Sequence, residues 1–159
     1  MPSGGNSLTV APDSRELEVS VFGPGFGESI VVHLGNGRWA VVDCCLDASS
    51  KQPAPLQYLS GIGADPVKSI QLVIATHWHD DHIDGLSAVF ERAVEAAFVC
   101  TGAIQPPVLD EILAAWTGSR FLPGGSGVDE LRSIMTELKN RRDGARHVAP
   151  KLACAGKSL

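Results

Sequence analysis

No apolar stretch in this chain approaches the ~20 residues a helix needs to cross a bilayer, and Met1-Pro2-Ser3-Gly4-Gly5 has neither the basic nor the apolar region of a secretory signal. Those absences exclude a membrane partner and point to the cytoplasm. Basic charge is also short, with 18 acids against 13 bases and a net charge of −5. Broad capture of long nucleic acid needs a basic stripe that releases counterions, so that function class is disfavoured. Lys139, Arg141, Arg142 and Arg146 do cluster, but where a helix closes, and cations there suit the carboxyl-end dipole; a solvated helix end is expected. The four cysteines, Cys44, Cys45, Cys100 and Cys154, show no CxxC pairing. A bridge between neighbours Cys44 and Cys45 would be strained, so the thiols are expected reduced, with Cys44 a small buried residue at a strand end. Nothing repeats and no segment is low in complexity. What remains is 159 residues with 44% hydrophobic side chains, enough for one domain with its own core.

Against that background, residues 76–82 read Thr76-His77-Trp78-His79-Asp80-Asp81-His82, directly after the apolar run Leu72-Val73-Ile74-Ala75. Imidazole and carboxylate are the nitrogen and oxygen ligands that zinc, iron and manganese accept, and crowding them unpaired at a strand end costs desolvation and repulsion. In extended chain the side chains at i and i+2 point the same way, so His77 and His79 can pinch one ion; on a helix they would diverge. A turn after His79 would bring Asp81 and His82 toward a second position, as in a two-metal site. Asp80 then points elsewhere, and Trp78 is expected to pack under the loop.

His77-x-His79-x-Asp81-His82, followed by Ile83-Asp84-Gly85-Leu86, resembles the signature of the metallo-β-lactamase superfamily of metallohydrolases. Upstream, Leu17 to Phe22, the glycine loop Gly23-Pro24-Gly25-Phe26-Gly27-Glu28-Ser29, Ile30 to Leu34, and Trp39 to Asp43 read as strand, loop, strand, turn, strand. This order is similar to the amino-terminal half of that fold, especially the branch that includes the hydrolase domain of DNA-uptake competence proteins. The resemblance implies an α+β protein with the αβ/βα sandwich of the family, a flexible segment over 1–15 and the domain over 16–159. It also gives Asp43 the role of buttressing the metal loop; from the residues alone, an acid closing a buried strand is a cap or a ligand orienter.

Past the motif the pattern turns helical. Leu86, Val89, Phe90 and Ala93 recur at i, i+3, i+4 and i+7, and Asp84 is placed to cap the helix that Gly85 opens. Ala97-Phe98-Val99-Cys100 is a short strand, and Val108 to Trp116 a helix with Asp110 and Glu111 in its first turn. Thr117 to Gly127 is a glycine-rich loop placed to cover the site, and Val128 to Arg141 a last helix whose core stripe is Val128, Leu131, Ile134, Met135 and Leu138.

Members of the superfamily complete the site with a further histidine, a bridging aspartate and a last histidine from the second half of the sandwich. Downstream of His82 this chain has only His147, and Asp110, Asp129 and Asp143 read as helix-turn or surface acids. Only the first half to two-thirds of the fold is therefore expected, with an incomplete sheet open to self-association. The resemblance implies hydrolysis by a hydroxide held on one or two zinc ions, iron or manganese being alternatives. His77 and His79 would hold the first ion, Asp81 and His82 the second, with Asp81 also orienting the hydroxide or relaying its proton. A small-molecule substrate is expected, a phosphoester or another small ester; a β-lactam is not, because fold does not fix chemistry. Two other readings stay open: a non-catalytic remnant that binds a metal or a partner, and an iron-dependent redox enzyme.

Overall fold

The computed structural model describes residues 10–100 and 126–143. The expected helix over 108–116, most of the loop over 117–127, and Arg146, His147 and Cys154 lie outside the described residues. Among the described residues ten elements follow in order: β1 (Glu18–Gly25), β2 (Gly27–His33), β3 (Trp39–Val42), α1 (Ala54–Gly61), α2 (Pro66–Ser69), β4 (Ile70–Ala75), α3 (Asp80–Ile83), α4 (Leu86–Arg92), β5 (Ala97–Cys100) and α5 (Ser126–Asp143). The strands form one mixed sheet in the order β1-β2-β3-β4-β5, antiparallel from β1 to β3 and parallel from β3 to β5.

Period-two alternation sorts the strand residues onto two faces. Val31, Val41, Val73 and Phe98 are paired neighbours on one face and are buried with Leu59 of α1 and Ile62 just after it, Leu86, Val89 and Phe90 from α4, and Leu131 and Ile134 from α5. Leu86, Val89, Phe90 and Ala93, the stripe predicted from spacing, are all fully buried. In α5, Val128, Leu131 and Ile134 are buried while Met135 and Leu138 pack on the core more shallowly. Paired positions on the other face are aliphatic throughout, including Val19, Ile30, Val32, Val42, Leu72, Ile74 and Val99.

Three local expectations need correction. The glycine loop is a tight hairpin: β1 runs on to Gly25, β2 starts at Gly27, and a bulge between Phe22 and Gly25 re-aims the chain. Gly27 has to be glycine, because its φ is +88° and a Cβ there would lie 2.8 Å from the Asp81 carbonyl oxygen. Asp84 does not cap α4. The residue before that helix is Gly85, which makes no side-chain cap. The Ser87 N–H donates instead to Glu130 Oε2 of α5 at 2.6 Å. Arg141 is not solvated either; it is 7% exposed and its guanidinium donates to the carbonyls of Phe90, Ala93 and Ala96, with Glu137 on its Nε and the Phe90 ring beneath it. The cationic fork thus closes the carboxyl end of α4, whose last carbonyls have no partner inside the helix.

No element is predicted between Asp43 and Leu72 from pattern, yet α1 and α2 lie there. Both are short and carry proline in the first turn, Pro55 at the second position of α1 and Pro66 at the first of α2, where its fixed φ suits the helix, and α2 is capped by Asp65, which accepts from the Val67 N–H at 3.1 Å. The amino end of α5 is tied to the metal loop. Asp80 Oδ1 accepts the Gly127 N–H at 2.7 Å, so the side chain that the motif leaves pointing elsewhere caps a helix 47 residues away in sequence. The approach is close enough that a Cβ on Gly127 would fall 2.1 Å from the Trp78 carbonyl oxygen. Asp80→Ala is expected to cost about 1 kcal/mol of stability in urea denaturation, and Asp80→Asn, which keeps a capping oxygen, much less.

Candidate metal centre

Strand β4 ends at Ala75, the chain bends at Thr76, and His79 is again extended, with φ and ψ of −72° and 145°. Extension puts His77 and His79 on one side, their ring centroids 5.1 Å apart. The single turn α3 then folds His82 back through its N–H to the His79 carbonyl at 2.9 Å. The His82 ring comes to rest 3.8 Å from that of His77, with His82 Nε2 3.6 Å from Asp81 Oδ2. Alternation also explains Trp78. With both histidines turned to the site, the indole between them faces outward and is 36% exposed, not packed under the loop.

Beneath the loop lies Asp43, 4% exposed, at the carboxyl end of β3 beside the carboxyl end of β4. Its Oδ1 accepts the Thr76 N–H at 2.8 Å, and its Oδ2 accepts the Thr76 hydroxyl at 2.5 Å and lies 3.0 Å from His82 Nδ1. Its own backbone is held as well: the Asp43 N–H donates to Ile74, and the Ser29 hydroxyl donates to the Asp43 carbonyl at 2.9 Å. A carboxylate only accepts, so His82 Nδ1 is the donor in its contact with Asp43, and Nε2 is the nitrogen left facing Asp81.

Ligand atoms fall into two groups, each with all members within 4.8 Å of one another: Asp43, His77 and His82, and His77, His79 and Asp81. His77 belongs to both and Asp81 lies between His79 and His82, so the side chains do not separate into the two pairs expected from spacing. The groups differ in what they have left to give. Asp43 and the Nδ1 of His82 are already committed to hydrogen bonds, whereas the group of His77, His79 and Asp81 faces outward. Imidazole nitrogens and a carboxylate oxygen at this separation fit a zinc-like divalent ion.

Glu28, which spacing does not single out, comes from the hairpin to 3.6 Å from His82 Nδ1. Only its place in the glycine-rich segment quoted above could have drawn attention to it. Cys44 belongs to the apolar core, and burial pushes both its thiol and that of Cys45 up, so they stay protonated. Cys45 lines a pocket of about 220 Å³ with Phe26, Gly27, Lys51, Asp80 and Asp84. Burial and then the neighbouring Asp80 charge raise the Asp84 carboxyl above the usual range. Asp129 pairs with Arg132 on the surface of α5 and takes no part in the site.

A mixed sheet whose parallel strands end at a His-x-His-x-Asp-His turn buttressed by a buried aspartate defines a class of metal-site proteins. The chain belongs to the metallo-beta-lactamase superfamily, whose family description matches residues 22–134, more than half of its length. That match covers Asp43, the metal loop and all five strands except the first residues of β1, and it assigns the superfamily rather than the competence-protein branch. No curated protein matches the chain. Among the described residues, no helix is long and apolar enough to cross a membrane.

Proposed function

We propose that this protein is a metal-dependent hydrolase in which His77, His79, Asp81 and His82 hold one or two divalent ions, zinc first, with iron or manganese as alternatives. The observation that carries the reading is the outward group of His77, His79 and Asp81, whose ligand atoms lie within 4.8 Å of one another in a chain of this superfamily. When bound, such an ion supplies Lewis acidity and activates water near neutral pH.

The chain's own residues do the rest. Asp43 fixes the loop and the His82 tautomer, so that ring nitrogens face the ion without reorganisation. Asp81, its side chain 43% exposed at the mouth of the site, is placed to orient an attacking water and take its proton. The surrounding charge favours a small substrate over a polyanion, since Glu28, Asp80, Asp81 and Asp84 all lie near the loop. A small ester is proposed as the substrate class, with phosphoesters foremost.

Elemental analysis of the purified chain, combined with turnover of a chromogenic phosphodiester and a chromogenic carboxylic ester, tests this. At least one ion per chain is expected, with hydrolysis that His79→Ala abolishes. Stoichiometric metal without turnover would leave a binding remnant, and oxygen consumption with an iron spectrum a redox enzyme. No ion after saturation with zinc, iron and manganese would end the reading.

A further inference from the structure

Thr76 stands immediately before the metal loop and carries no ligand atom for it, yet it touches two groups that matter. Its hydroxyl oxygen lies 2.5 Å from Asp43 Oδ2 and 2.8 Å from His77 Nδ1. A hydroxyl has one proton and two lone pairs. Asp43 accepts through both oxygens, Oδ1 from the Thr76 N–H and Oδ2 from the hydroxyl, so the threonine proton is spent on the carboxylate. The contact with His77 is then attractive only if Nδ1 bears the ring proton and donates to the Thr76 lone pair. Proton order along the chain is therefore His77 Nδ1–H to Thr76 Oγ1–H to Asp43 Oδ2.

From this we infer that Thr76 is a positioning residue: it transmits the charge of Asp43 to His77, locks that ring as the Nδ1–H tautomer and leaves the Nε2 lone pair for a divalent ion. One buried carboxylate thereby sets both rings, His82 directly at 3.0 Å and His77 through the threonine hydroxyl. Which nitrogen of a histidine can ligate is set by the hydrogen bond its other nitrogen makes. His77 is the ring shared by both donor groups, so its tautomer weighs on the whole site. The inference rests on the metal-binding reading above for its consequence, but the tautomer itself belongs to the metal-free protein.

Two measurements on the full chain separate the two. Long-range nitrogen–proton spectra of the metal-free protein, with the rings assigned through His77→Gln and His82→Gln, are expected to show His77 protonated at Nδ1. In Thr76→Val, which keeps the backbone N–H to Asp43 but lacks the hydroxyl, the His77 signals are expected to shift toward the Nε2–H pattern. Zinc affinity, read by competition with a chromophoric chelator, is expected to fall 10- to 100-fold in Thr76→Val. Thr76→Ser should restore both. His77 found as the Nε2–H tautomer in the unaltered protein overturns the inference even if Thr76→Val does not fold, as does a Thr76→Val protein with unchanged tautomer and affinity. A tautomer that responds to Thr76 in a chain that binds no zinc would uphold the relay and remove the metal-binding reading instead.

Discussion

Asp43→Ala is expected to lower stability by about 2–4 kcal/mol and ion affinity by about 10- to 100-fold, because it strips the acceptor from three donors at once. Thr76 N–H, Thr76 Oγ1–H and His82 Nδ1 all converge on the one carboxylate. Water can reach Thr76, which is exposed, so the loss stays below the sum for three buried groups. Backbone matters too, since Asp43 has a φ of 55°, a left-handed conformation that asparagine tolerates far better than alanine. Asp43→Asn is accordingly expected to keep most of the stability and still lose affinity, because its amide offers one accepting oxygen and no charge. Urea denaturation and chelator competition on the two variants distinguish buttressing of the chain from control of the rings.

The second large effect is expected at Arg141. Arg141→Met retains the apolar stem but leaves the carbonyls of Phe90, Ala93 and Ala96 without their charged donor and Glu137 without its partner, at a cost of about 3 kcal/mol. Arg141→Lys should fall between, since an ammonium cannot reproduce the planar fork. The signature to look for is a lowered denaturation midpoint with zinc affinity unchanged, because Arg141 serves the carboxyl end of α4 while the metal loop adjoins α5 at its amino end.

How far these features were legible differs residue by residue. The His-x-His-x-Asp-His turn was legible because extended chain and a following turn leave few ways to place the rings, and the stripe Leu86, Val89, Phe90, Ala93 because helical spacing alone buries it. Arg141 was misread although the signal was present: it continues the series Leu131, Ile134, Leu138 at helical spacing, so position argued for burial and only residue type argued for solvent. The capping of α4 was not legible, since the acceptor for Ser87 is Glu130, 43 residues on. Local rules named Asp84 because it is adjacent in sequence, and tertiary contact supplied a different oxygen. Helix α2 was missed for want of length, and α1 because its buried residues, Ala54, Pro55 and Leu59, fall short of the i, i+3, i+4, i+7 stripe that marks α4. At the site, composition named the candidate donors but not their grouping, because it takes the folding back of His82 onto His77 to make one ring common to both groups.

Among the described residues the candidate metal donors hang from one rim of the sheet, where β3 and β4 give way to Asp43 and Thr76. At the opposite rim, the reversal between β2 and β3 is closed by the Leu34 N–H to the Arg38 carbonyl at 2.7 Å and by the Arg38 N–H to Gly35. Asn36 and Gly37 there are exposed, and no atom stands within 4 Å of where a Gly37 side chain would begin. A fluorophore or affinity handle spliced into that step would ride at the far end of the strands from His77, His79 and His82, giving a tether for immobilisation or tracking that stays clear of the candidate metal centre, provided that the Gly37 N–H keeps its bond to His33 Nε2 at 3.2 Å.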